Sequence, residues 1–309
     1  MLYLNTRNRA DSFTAHKVLR MKSPADGGLF MPMSLPDRNS ISLASFEQMG
    51  FGETAASIFN LFFGTKLSGW NVDFAVGRQT LDFVSAGYKV CLAESWHNPA
   101  GSHDYLVQKL HQLVTGERIT AQDVNMWFRT TVDIAILFTI YGKYCRQETY
   151  EFDIAVETGD LQLLLAIRCA QKLGLPIRKI ILGSIDGDGL WEFFSLGGYQ
   201  GNRKHCPAAL EALLWLEFGY GETAEYVRAM ELRSIYKLSD VCLALLKHGM
   251  FVTVVGNNRA ANMVESTIHT NHYQMELSTA RAFAALQDYR AKTGENKNTL
   301  LFARNMPVK

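Results

Sequence analysis

At 309 residues, 48% hydrophobic and 20% charged, the chain is long enough to bury one large core or two moderate ones. With 31 basic side chains against 30 acidic ones and no like-charge block, nothing concentrates nucleic acid or anionic lipid at the surface. A small molecule or another protein is the default partner.

Five cysteines, Cys91, Cys145, Cys169, Cys206 and Cys242, are scattered without a close pair. Zinc sets and redox pairs need closer spacing, so reduced core thiols are expected. The start, Met1-Leu2-Tyr3-Leu4-Asn5, has no basic-then-apolar signal pattern. The longest apolar stretch, around Ile134–Tyr141, is too short to span a bilayer, so a cytoplasmic location is expected.

In chain order, Tyr3–Arg7 reads as a strand and Phe13–Met21 as a helix. Asp26-Gly27-Gly28 between Pro24 and Pro32 is turn chemistry, because glycine accepts positive φ without steric cost. Apolar residues at helical intervals predict helices over Phe46–Phe63, Asp73–Ala86 and Ala121–Tyr144. Phe152–Val156 reads as a strand running into Glu157-Thr158-Gly159-Asp160. A helix over Leu161–Leu173 then stops at Gly174-Leu175-Pro176, where proline cannot continue it. Lys179–Gly183 is the next strand, which completes a βαβ unit and points to an α/β fold with parallel strands. Further helices are expected from Leu190, over Pro207–Phe218, Ser239–His248 and Leu277–Lys292. Strands are expected at Phe251–Val255 and Thr299–Ala303.

Three ordered stretches carry a resemblance. They are Tyr3-Leu4-Asn5-Thr6-Arg7 with Asp26-Gly27-Gly28-Leu29-Phe30-Met31-Pro32, then Val156–Ile177, then Phe302–Lys309. Together they resemble threonine synthase, a pyridoxal-phosphate enzyme of the tryptophan-synthase-β (fold-type II) class. The resemblance implies an α/β scaffold with a parallel sheet flanked by helices, and a role in amino-acid metabolism and biosynthesis.

Departures from the family pattern carry as much weight. Glu94-Ser95-Trp96-His97-Asn98-Pro99 is similar to the stretch that enters the family's cofactor-lysine helix, yet His103 stands before Asp104 where that lysine belongs. An imidazole cannot form an imine with the cofactor. The family's glycine-rich phosphate turn is reduced to Gly159, followed by Asp160, Leu161 and Gln162; an aspartate repels phosphate. Only residues 104–158, 55 positions, separate His103 from Gly159, too few for the family's second α/β lobe. Arg304 replaces a threonine that faces the cofactor's ring nitrogen in the family, and a guanidinium cannot accept that hydrogen bond.

The expectation is a reduced fold-type II scaffold with the second lobe largely missing. Residues 1–90 would form a threonine synthase-like N-terminal region and 91–309 a reduced α/β core, with Tyr105–Thr131 covering the exposed face. Such a chain would hold no cofactor and serve as a non-catalytic binding, regulatory or structural homologue. It would act as a homo-oligomer or with a protein partner, without nucleic acid or membrane. The alternative is a repurposed enzyme acting on an amino-acid-like substrate, with His97, His103, Asp104 and Glu94 as acid–base groups. Arg7, Asp26, Gly159 and Arg304 are the candidate ligand-binding residues. His111 reads as a residue on a solvated helix face and Lys109 as solvated. His269 and His272 read as loop, and Asp186-Gly187-Asp188-Gly189 as a turn lacking the remaining calcium ligands. No metal site is expected.

Overall fold

The computed structural model describes residues 1–77, 81–95, 103–144, 151–198, 206–232 and 237–304. Strand β1 (Leu2–Asn5) lies between β2 (Ser12–Thr14) and β3 (Phe30–Pro32) in a small antiparallel sheet. Alternation buries Tyr3 and Asn5, and the Tyr3 hydroxyl donates to the Phe62 carbonyl at 2.8 Å, which pins the sheet to the helices behind it. The expected helix over 13–21 is only α1 (Ala15–Val18), because residues 12–14 pair with β1 and Thr14 caps the turn that follows.

The expected helix over 46–63 is two helices, α2 (Leu43–Phe46) and α3 (Phe51–Phe63). Gly50 interrupts it; its N–H donates to the Glu53 carboxylate at 3.1 Å, starting a new helix. Helix α4 (Gly69–Val76) ends at Gly77, whose φ of 73° a side chain rarely adopts, and the helix expected to reach Ala86 is instead strand β4 (Asp82–Gly87). It forms a hairpin with β5 (Val90–Glu94), turning through Gly87 and Lys89, both at positive φ.

Helix α5 (His103–Thr115) packs on α4. A 3-10 turn at Ala121–Asp123 follows, and α6 starts only at Met126 and runs to Tyr144. Asn125 sets that start, since its Oδ1 accepts the Phe128 N–H at 2.9 Å. Then come β6 (Phe152–Glu157), α7 (Leu161–Lys172), β7 (Ile177–Ser184), α8 (Leu190–Leu196), α9 (Ala208–Phe218), α10 (Tyr220–Glu231) and α11 (Asp240–Lys247). The chain closes with β8 (Met250–Val254), α12 (Asn257–Asn271), α13 (Leu277–Thr293) and β9 (Thr299–Ala303).

The main sheet has the order β4-β5-β9-β6-β7-β8; all neighbours are parallel except the β4–β5 hairpin. Its central strands are apolar on both faces, as a sheet covered on both sides requires. Ile154, Ile180 and Leu300 face the core shared with α3, α6, α7 and α9, while Ala155, Ile181 and Leu301 face α12 and α13. The α13 side approaches closely through Ala280, Ala284 and Ala285, all fully buried. Gly174 ends α7 at φ 110°, its N–H donating to the Gln171 carbonyl and that of Leu175 to Ala170, the double closure a left-handed glycine permits.

Between β5 and β6 the described residues are helix and turn, with no strand, so among them no second parallel sheet exists. Helices α5 and α6 pack against each other in that space. Among the described residues, no helix is long and apolar enough to cross a membrane.

Candidate functional site

The turn between β6 and α7 begins the site. The Thr158 N–H donates to the Gly183 carbonyl at 3.0 Å, and its hydroxyl donates to Asp188 at 3.0 Å. Asp188 also accepts from the Ser184 hydroxyl at 3.0 Å and from the Leu190 N–H at 2.8 Å. The Asp186–Gly189 segment is therefore a brace that starts α8 and fixes the turn from behind. Asp160 caps α7, its carboxylate accepting the Leu163 N–H at 3.0 Å. That carboxylate sits where an anion would need free N–H groups.

Beside this turn lies a buried ionic cluster centred on Asp133, in the middle of α6 and fully shielded from solvent. Its Oδ1 meets His103 Nε2 at 2.8 Å, and its Oδ2 accepts from Gln162 Nε2 at 3.0 Å. Arg304, just past β9, reaches Asp133 at 2.9 Å and Asp160 at 3.0 Å. Its Nε and Nη2 meet these carboxylates at ion-pair distance but off the hydrogen-bond axis. Burial by itself would raise the Asp133 carboxyl, but Arg304 and then His103 outweigh it and hold it well below the usual carboxylate range. Burial opposes the Arg304 charge too, yet Asp133 and Asp160 keep its pKa above the ordinary guanidinium value.

A cleft of about 250 Å³ opens beside the cluster, lined by Glu157, Gly159, Asp160, Glu276, Ser278 and Arg304. Glu157 is ion-paired with the buried Arg281, and burial raises its carboxyl. Arg281 also donates to the Val255 carbonyl and to Asn257, so it is committed to the wall. A Cβ on Gly159 would stand 3.4 Å from Glu157 Cδ and 3.5 Å from Ile185, so the turn is packed against its neighbours.

Of the residues singled out from sequence, the structure brings together His103, Gly159 and Arg304. Asp104 points away, accepting from Gln122 at 3.1 Å and meeting Arg129 at 3.4 Å. Glu94 is buried and accepts the Tyr273 hydroxyl. Burial, and then this carboxylate, push the Tyr273 hydroxyl's pKa up. His97 lies outside the described residues.

Arg7 and Asp26 belong to a different cluster. Arg7 pairs with Glu211 at 3.2 Å and Glu231 at 2.9 Å, tying the small sheet to α9 and α10. Asp26 accepts from Asn5 Nδ2 at 2.8 Å and from the Gly28 N–H at 3.0 Å. A Cβ at Gly28 would fall 2.1 Å from Asn5 Oδ1, which is why that turn needs glycine. His111, expected on a solvated face, is buried and bonded to the Leu19 carbonyl at 2.8 Å. His269 sits in the last turn of α12 rather than in a loop, while His272 lies just past the helix, as its cap at φ 52°. Among the described residues, no group of three His, Cys, Asp or Glu side chains could hold a metal.

Sequence reading missed Asp133 and Gln162. The available signal was Asp133, the single carboxylate of a largely apolar 19-residue helix, whose burial as a charge requires a partner.

Residues 2–73 match the family described as threonine synthase N terminus. A PLP-bound threonine synthase from Brucella melitensis superimposes with a TM-score of 0.82 at 15% identity, covering 99% of this chain and 89% of that one. Threonine synthase from yeast gives 0.75 at 13% identity, covering 99% and 87%. The enzyme from Escherichia coli gives 0.71 at 14% identity, covering 99% and 89%. The chain thus carries the family's N-terminal signature over residues 2–73 and shares the fold of these threonine synthases over almost all of its length.

Proposed function

We infer that this protein is a threonine synthase-like binding protein that works without pyridoxal phosphate and does not run the synthase reaction. One observation supports the reading: His103 and Asp160, which stand where the resemblance puts the cofactor's lysine and phosphate turn, join Asp133, Gln162 and Arg304 in one ionic cluster. Pyridoxal phosphate asks for a lysine amine and a nest of free backbone N–H groups. Here the imidazole of His103 is engaged by a buried carboxylate, and the Asp160 carboxylate already takes an N–H at the helix start. Phosphate beside Asp160, Glu157 and Glu276 would meet like charge. These residues do not fit the group.

The remaining cleft suits a small amino-acid-like molecule. Its ammonium would face Glu276 and Asp160, and its carboxylate would face Arg304 and the Ser278 hydroxyl. A thermal-shift series with amino acids, phosphorylated amino acids and pyridoxal phosphate tests this. A ligand at a hundred times its Kd adds about 2.7 kcal/mol of stability. The reading expects stabilisation by an amino-acid-type ligand and none by the cofactor; the reverse pattern would end it.

A second reading rests on the His103–Asp133 pair. A carboxylate at 2.8 Å from one ring nitrogen orients an imidazole for acid–base work, so the protein would be a repurposed enzyme on the same class of molecule. Once a turnover is found, an unchanged rate in His103→Ala removes this reading.

A further inference from the structure

A larger groove lies away from this site, where the small sheet meets the junction of α9 and α10, and it shares no lining residue with the Arg304 cleft. Its volume, about 760 Å³, is within the range of small-molecule sites. Gly219 ends one helix and starts the next at φ 76°, ψ −161°, a backbone conformation essentially reserved for glycine. That break turns Trp215 edge-on to Tyr220, ring centroids 6.1 Å apart, as an aromatic wall. Opposite it, Met31 forms a buried floor and Met33, 58% exposed, stands at the mouth. Methionine adapts to irregular apolar shapes.

The polar lining is one-sided. Arg9 and Lys172 line the groove, and no carboxylate does. Arg9 is exposed and makes no ion pair among the described residues. Lys172 meets Glu217 at 3.0 Å, but Glu217 also meets Arg168 at 2.8 Å, so one carboxylate faces two cations and the mouth keeps net positive charge. The geometry points to a second ligand site in this groove, for a small molecule with an apolar body and one carboxylate. The body lies between Trp215, Tyr220 and the methionines, and the carboxylate faces Arg9. This inference is independent of the reading given to the Arg304 cleft.

The test is a titration of the full chain, carrying 13C-methyl methionine, with decanoate as probe and decanol as its neutral counterpart. Saturable shifts of the Met31 and Met33 methyls are expected with decanoate. An exposed charge contact of this kind makes decanoate about two- to fivefold tighter than decanol, and Arg9→Ala removes most of that difference. A Cβ at Gly221 meets nothing within 4 Å, so Gly221→Phe fills the groove without backbone conflict. It is expected to weaken decanoate at least about tenfold, the effect of roughly 1.4 kcal/mol. Methionine methyls that stay still, decanol binding as well as decanoate, or a folded Gly221→Phe that binds like the parent would each overturn the proposal. Should Gly221→Phe fail to fold, Leu216→Gln at the same wall decides the same question.

Discussion

Arg304→Met removes the only guanidinium that faces both Asp133 and Asp160 among the described residues. Asp133, fully buried, would then rely on His103 at 2.8 Å and Gln162 at 3.0 Å. Breaking a buried pair by deleting one partner costs roughly 3–5 kcal/mol. Those two hydrogen-bond partners remain, and the Arg304 side chain is 16% exposed, so the low end, about 3 kcal/mol, applies. An unfolding entropy of about 2.1 cal/mol/K per residue gives about 0.65 kcal/mol/K for the whole chain, hence a fall in Tm of about 5 °C. Replacing both partners, Arg304→Met with Asp133→Leu, exchanges the pair for apolar volume and is expected to recover at least half of that loss. Calorimetry on the three proteins reads this directly. A single variant within about 1 °C of the parent, or a double variant as unstable as the single, would refute the view that Asp133 is held by Arg304.

The same cluster shapes the acid limb of stability. Because the folded Asp133 carboxyl lies below its unfolded value of about 3.9, its contribution is complete above that value and drains away as pH falls through it toward the folded one. Urea unfolding across acidic pH is expected to show a shallower loss in the Arg304→Met/Asp133→Leu protein than in the parent. His111→Leu leaves the Leu19 carbonyl unpaired in the core and is expected to cost about 1–3 kcal/mol in urea unfolding, whereas a surface histidine would change stability by under about 0.5. Gly142→Ala would drive a Cβ to 2.1 Å from the Phe46 carbonyl oxygen, where α6 crosses α2. Overpacking against backbone predicts a loss of about 1–3 kcal/mol, and a neutral result would mean these helices are not in contact.

Legibility in the sequence followed how local each signal was. The unit from β6 through α7 to β7 was readable because its strands are apolar runs and its helix ends on Gly174-Leu175-Pro176, a stop written in consecutive residues. Strand β4 reads as the end of a helix over Asp73–Ala86 because Val76 and Phe83 fall at a spacing a helix also allows; only pairing with β5 decides it. Helix α12 went unread because few of its residues are apolar and only Ala260, Met263 and Thr267 are buried. His103 and Arg304 are visible as departures from a family pattern, and Gly159 as what is left of one. Their meeting point, Asp133, was not, because its partners lie 29 residues away or more along the chain. Asp104 next to His103 looked like the natural carboxylate, but adjacent residues on a helix point in different directions.

The central claim is that no lysine of this chain serves as a cofactor anchor. Saturating the protein with pyridoxal phosphate, reducing with borohydride and mapping the product by peptide mass spectrometry tests it most directly. The account predicts at most scattered, substoichiometric labelling of surface lysines and no imine band before reduction. A stoichiometric adduct on one lysine, Lys109 on the α5 helix for instance, would contradict it.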